Sequence, residues 1–207
     1  MAEWILADNF NKDNVGLDDK PIPGTKRHNI LYLYPNEEYK QLYITVPKAE
    51  ESFVKIGKPQ QREVTKKDGT KFTPPRKSST IFLDKNNISH MNVYNVIKDI
   101  TEVVNSNTKL SSTFAYAEHP DNICIFCTLI EDRKNKVYTS FYDQEKVIDV
   151  EKLQTFIGRP SLSFSVNMET GKIYVQITAA YVHREIRRIF RGHSQEISPG
   201  NISRGES

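Results

Sequence analysis

Cysteine is scarce in this sequence: Cys124 and Cys127 are the only two among 207 residues. Neither a disulfide framework nor a four-cysteine zinc site can be built from two thiols. The pair forms a C-x-x-C, but it falls in an apolar run, 123–130, that reads as a strand. Residues three apart on a strand point to opposite faces and cannot share one metal. No helix pattern starts there, so thioredoxin-type redox chemistry is not expected either. Long apolar runs are missing as well. Nothing approaches the roughly 18 residues of a membrane span, and Met1-Ala2-Glu3-Trp4 has neither the basic flank nor the apolar stretch of a signal peptide. The expected setting is a reducing cell interior, cytoplasmic or nuclear.

Catalytic signatures are absent too. The patterns G-x-S-x-G, G-x-x-x-x-G-K-S/T and G-x-G-x-x-G do not occur, so the chain announces no nucleophile elbow and no phosphate-cradling loop. The histidines His28, His90, His119, His183 and His193 are scattered without an H-E-x-x-H pair. Paired acids such as Glu37-Glu38 and Glu50-Glu51 read as solvated faces, and a metal-dependent nuclease would need carboxylates converging from separate strands. The expectation is a protein without catalysis, cofactor or metal. Charge of one sign is not in great excess, since the formal net charge is only +3. The total diagnoses no polyanionic partner, and the distribution becomes the question.

Residues 1–29 carry turn formers in quick succession (Asn9, Asn11, Asn14, Gly16, Pro21, Pro23, Gly24) and read as an irregular arm. Alternation then predicts strands at Ile30 to Tyr34 and at Tyr39 to Val46, the second ended by Pro47, which offers no N–H to a ladder. A short apolar strand at 80–83 precedes one clear helix, about 89–105. There Met91, Tyr94, Ile97, Ile100 and Val104 recur at three-four spacing behind a cap at Ser89 or Asn87. Strands follow at 113–117, at 123–130, which is apolar on both faces, and at 137–142. A short helix or bend is expected at 153–157, closed by Gly158. A long hairpin then joins 161–167 to 172–182 through Met168-Glu169-Thr170-Gly171.

Between Lys55 and Lys77 the composition shifts. Lys55, Lys58, Arg62, Lys66, Lys67, Lys71, Arg76 and Lys77 face only Glu63 and Asp68, a local net of +6. Pro59, Pro74, Pro75 and the turn Lys67-Asp68-Gly69-Thr70 make this a long exposed loop or hairpin with a basic tip. Lysine and arginine at this density release counterions from a nucleic-acid backbone. Aromatic residues support the same reading. If Leu31 and Leu33 face the core, Tyr32 and Tyr34 face outward, and Tyr138 and Tyr142 share the outer face of their strand. Such rings, with Phe72 in the loop, give unpaired bases a surface to stack on. At the C-terminus Arg184, Arg187, Arg188 and Arg191 fall at helical spacing, as a short basic helix suited to nucleic acid, an acidic protein or a membrane surface. Residues 183–207 are read as this extension and a flexible tail.

The layout resembles the single-stranded DNA-binding proteins of large DNA viruses and of some bacteriophages. The residues that carry the likeness are Tyr43-Ile44-Thr45-Val46-Pro47-Lys48, followed by Ile56-Gly57, the helix from Met91 to Val104, Leu153-Gln154-Thr155-Phe156-Ile157-Gly158, and the hairpin from Leu162 to Val182. The resemblance spans roughly 30–182 and rests on no invariant motif. It implies a mainly β (α+β) protein: an oligonucleotide/oligosaccharide-binding (OB) barrel over 30–182 with one packed helix, a long basic loop and a basic C-terminal extension. It also implies binding of single-stranded nucleic acid, DNA before RNA, in replication or recombination, inside a cell that for a virus is the infected host. One departure concerns partner recruitment. Phage proteins of this type often end in an acidic tail, whereas this one carries Arg184, Arg187, Arg188, Arg191 and Arg204. The alternative is a viral structural or scaffold protein whose β core self-associates through its N- or C-terminal arms.

Overall fold

Five segments form the central strands: β1 (Ser52–Ile56), β2 (Ser78–Asp84), β3 (Asn122–Leu129), β4 (Thr155–Asn167) and β5 (Lys172–Glu185). Side chains of β2 alternate between buried and more open, while the middle of β3 and the second half of β4 are buried on both faces. The computed structural model describes residues 4–36, 38–46, 51–57, 64–65, 68–72, 78–132, 137–150 and 153–185. Within it β1 pairs antiparallel with β2, β2 with β3, and β4 with both β1 and β5, while β3 runs parallel to β5. The five strands therefore close on themselves in the order 1-2-3-5-4. Closure removes the unpaired edges an open sheet would present, and the result is an OB-like barrel.

One face of each strand fills the interior. Val54 and Ile56, Ile81 and Leu83, Ile123, Ile125 and Cys127, Phe156, Leu162 and Phe164, and Val175 and Ile177 form one buried cluster. The two long strands must bend to close the ring, and β4 shifts register against β5 at Ile157/Gly158 and again at Ser161/Leu162. Gly158 permits the first bend, because a Cβ there would lie 2.1 Å from the Tyr181 carbonyl oxygen. The turn between β4 and β5 ends on Gly171 at φ +70°, a left-handed conformation that favours glycine.

Helix α1 (Ile88–Asn107) lies in the chain between β2 and β3. The Asn87 side chain accepts the His90 N–H at 3.0 Å and caps it. Val93, Val96, Ile97, Ile100 and Val104 give the helix a stripe that joins the barrel core. Its first turn is tied to the N-terminal segment, where the Asp8 carboxylate accepts Ser89 Oγ and Asn92 Nδ2, each at 3.0 Å. Among the described residues no helix is long and apolar enough to cross a membrane.

Several expectations need correction. The N-terminal segment is not irregular: Val15–Pro21 is a strand paired with Arg27–Leu33, and Ile5–Leu6 pairs with Tyr43–Thr45. Asn9, Asn11 and Asn14 serve two short 3-10 turns, Pro23 and Gly24 (φ +75°) one hairpin turn, and Gly16 and Pro21 lie within the strand itself. Residues 155–157 open β4 instead of forming a helix. Arg184 lies in β5 and on no helix, and Arg187, Arg188, Arg191 and Arg204 lie outside the described residues.

The sharpest correction concerns Tyr32 and Tyr34. Both point inward, only 3% and 1% exposed, while Leu31 and Leu33 are half-buried. Each phenol buries its ring because its polar tip is satisfied. Tyr32 Oη accepts the Asn11 N–H at 3.1 Å, and Tyr34 Oη donates to the Gln41 carbonyl at 3.2 Å. Phe10 and Tyr34 pack around the Tyr32 ring at centroid distances of 5.7 and 5.4 Å.

Candidate nucleic-acid interface

The sheet registers place the outward side chains of β1, β2 and β3 in rows that cross the strands. Lys55 stands opposite Thr80, and Thr80 opposite Phe126. In the next row Phe82 stands opposite Cys124. The neighbouring strand Tyr116–Glu118 brings Ala117 beside Cys124, and the Phe126 N–H donates to the Ala115 carbonyl at 3.0 Å. Phe126 thus stands between Thr80 and Ala115, both small, while Phe82 has Cys124 on one side and Phe53 of β1 on the other. Its small neighbours leave Phe126 47% exposed in the middle of a sheet, and Phe82 is partly buried.

Two hollows open along this face. One of about 630 Å³ is lined by Lys55, Phe82, Asp84, Asn86, His90 and Asn122. The other, about 280 Å³, is lined by Lys55, Thr80, Phe82, Cys124 and Phe126. They share Lys55 and Phe82 and form one groove, with Lys55 and Glu51 at the β1 side, phenylalanine in the middle and acids again at Asp84 and Asp121. At that end His90 is buried and its Nδ1 accepts the Asp84 N–H at 3.1 Å, fixing the start of the helix against the groove floor.

The basic segment joins the same edge. It leaves the barrel after Ile56 and returns at Ser78, where the Gly57 N–H donates to the Ser78 carbonyl at 2.8 Å and Ser79 Oγ donates to the Lys55 carbonyl at 3.0 Å. Further out Val64–Thr65 pairs with Lys71–Phe72. The intervening turn carries Gly69 at φ +82° and an Asp68 carboxylate that accepts the Thr70 N–H at 2.9 Å. That bond holds the Asp68 carboxyl below its ordinary range. The expected hairpin tip is thus present, with Lys71 exposed. Lys58, Arg62, Lys66, Lys67, Arg76 and Lys77 lie outside the described residues, as does the side chain of Phe72.

Of the other residues singled out from sequence, Tyr32 and Tyr34 belong to the core and offer no ring to a ligand. Tyr138 lies in a two-residue strand with its side chain outside the described set. Tyr142 is exposed, but on Ser140–Asp143, where it pairs with Tyr181 of β5; β4 and β5 separate it from Lys55. Lys55 is the one that joins the groove. Phe82 and Phe126 went unnoticed because their strands are apolar on both faces. The signal available was that Phe126 shares its face with Thr128, a polar residue, while Ile123, Ile125 and Cys127 share the other. Cys124 and Cys127 do point to opposite faces, Cys127 into the core and Cys124 toward the groove. Burial pushes both thiols up, away from the reactive thiolate.

Fold and groove together define an OB-like barrel whose outer face carries Lys55, Phe82 and Phe126. No family model matches the chain, and no curated protein matches it. Among solved structures it is similar to gp2.5, a single-stranded DNA-binding protein encoded by bacteriophage T7, at 12% identity and a TM-score of 0.48, over 80% of this chain and 100% of that one. It is also similar to the single-stranded DNA-binding protein of bacteriophage Enc34. With single-stranded DNA bound, that structure shows 14% identity and a TM-score of 0.45, over 77% of this chain and 93% of the other. Without DNA it shows 13% identity and a TM-score of 0.46, over 86% and 95%.

Proposed function

We propose that this protein binds single-stranded nucleic acid without catalysis, through the outer face of β1, β2 and β3 and the basic segment beside it. The observation that carries the reading is the juxtaposition of Lys55, Phe82 and Phe126 in adjacent cross-strand rows at the root of a segment with a net charge of +6. Phosphates meet lysines of the segment, which carry no base information, and unpaired bases stack on the two phenylalanines. Stacked rings are reached only by bases freed from a duplex, so the preferred partner is single-stranded. OB barrels use the face of their second and third strands, and the loop between the first and second, in this way. The partner in our reading is DNA, in replication or recombination, following the sequence resemblance to viral and phage proteins.

Titration of single- and double-stranded oligonucleotides at two salt concentrations tests this. Single strands should bind more tightly, DNA at least as well as RNA, with the logarithm of the affinity falling linearly in log salt. Equal binding of duplex, or no salt dependence, would sink the proposal. A second reading, an interaction protein that self-associates, is favoured by the strand Lys146–Ile148, which ends the sheet and exposes 70% of Val147. Sedimentation of the free protein distinguishes it: a concentration-dependent oligomer abolished by Val147→Lys supports that second reading.

A further inference from the structure

The face that carries Phe126 continues beyond β3. Thr113 and Phe114 pair in parallel with Lys172 and Ile173. Ile173 points into the core, so one residue further along, Ala115 and Tyr174 stand on the outside. The row Lys55–Thr80–Phe126–Ala115 therefore runs on to Tyr174, four strand spacings from Lys55, or about 19 Å at about 4.8 Å each. There the N-terminal hairpin, an addition to the barrel, contributes a cation. Asn167 of β4 pairs with Arg27, and the Arg27 guanidinium lies 5.1 Å from the centroid of the Tyr174 ring. Lys172 Nζ, from β5 itself, lies 5.1 Å from the same centroid. The neighbouring Lys26 is paired with Glu169, which draws that carboxylate to Lys26.

An aromatic ring restricts the cations packed on it, so less side-chain entropy is lost when an anion binds them. Arginine also presents a donor fork matched to phosphate. We propose that Arg27 and Lys172, held over the ring of Tyr174, form a second phosphate-binding station for the same single strand. The strand then crosses the whole face, from the basic segment over Phe126 to the N-terminal hairpin. This rests on the binding function proposed above and deepens it. The station lies two strand spacings beyond Phe126, about 10 Å, so it is engaged fully by a strand that continues past Phe126 and less by a short one that ends near it.

The test compares oligothymidylates of about 4 and about 16 nucleotides, the ends of the range for one OB barrel, at several salt concentrations. The proteins are the parent and the double variant Arg27→Gln/Lys172→Gln. For the longer strand the variant should lose affinity and its salt slope should fall by about 1.4, from about 0.7 per phosphate contact. Binding of the shorter strand should change less, with a smaller fall in slope. Should the double variant melt below the parent, Lys172→Gln alone, at an exposed position, decides the matter with an expected loss of about 0.7 in slope. An unchanged slope for the longer strand overturns the station while leaving the groove intact. A parent that binds neither length overturns the station together with the reading it rests on.

Discussion

Phe126 and Tyr32 make a matched pair of opposite character, and replacing each by leucine should separate binding from stability. Phe126 is half-exposed on the groove face, with Thr80 and Ala115 as its cross-strand neighbours. Leucine there keeps an apolar surface side chain, so the stability change should stay within about 0.5 kcal/mol. What it loses is the π face, about 1–3 kcal/mol per stacked base. At about 1.4 kcal/mol per factor of ten, that is a loss of roughly 5-fold to 150-fold in affinity for a single strand. Tyr32 behaves in reverse. It is buried, accepts the Asn11 N–H at 3.1 Å, and packs on Phe10 and Tyr34. Leucine leaves that donor without its partner, at a cost of about 1–3 kcal/mol. At roughly 2–4 °C per kcal/mol for a chain of this size, the melting temperature falls visibly, while affinity measured well below it is unchanged. Fluorescence anisotropy with a labelled oligonucleotide gives the affinities, and thermal melting by circular dichroism gives the stabilities. Parent-like binding by Phe126→Leu, or weakened binding by folded Tyr32→Leu, would refute the assignment of faces.

Changing Lys66, Lys67 and Lys71 together to alanine should weaken binding to all sequences alike and lower the salt slope by about 2, which titrations at three salt concentrations read directly. Gly158→Ala should destabilise the barrel by about 2 kcal/mol or more, since its Cβ would meet the Tyr181 carbonyl at 2.1 Å; a parent-like urea midpoint would contradict the close approach. The Tyr94 hydroxyl is pushed up to about 12 by burial and by its neighbour Tyr116. The unfolded chain ionises first, near 10, so this contribution to stability is full below pH 10 and is lost as pH rises toward 12. Tyr94→Phe should show a shallower decline over that window in denaturant melts.

Local patterns were legible where one face alone is apolar. The three-four stripe from Met91 to Val104 behind a cap at Ser89 or Asn87 located the helix within two residues at each end, and the charge of 55–77 marked the segment beside the groove. The pentapeptide Ile30 to Tyr34 is apolar on both faces, so alternation told which residues share a side but not which side is inside. Contacts with Phe10, Asn11 and Gln41, far apart in sequence, decide that in favour of tyrosine. The same ambiguity hid Phe126, whose outward direction follows from the ring closure of the whole barrel. Arg27 and Tyr174 meet only because the β4–β5 hairpin returns the chain to the N-terminal strands, a fact of topology with no local trace. The turn formers of the first 29 residues misled for a different reason: some serve tight turns, Gly16 and Pro21 are accommodated within a strand, and between the turns the chain is paired.

The clasp between Gly57 and Ser78 holds the two ends of the basic segment at ladder distance whatever lies between them. Because closing a loop costs only about 0.6 kcal/mol more for each doubling of its length, insertions, deletions or reshuffled lysines beyond the clasp leave the barrel's folding energy almost untouched. Grip strength and structural integrity are thereby inherited separately, and relatives of this chain should vary most in the length and charge of that segment while keeping the small residues that flank Phe126.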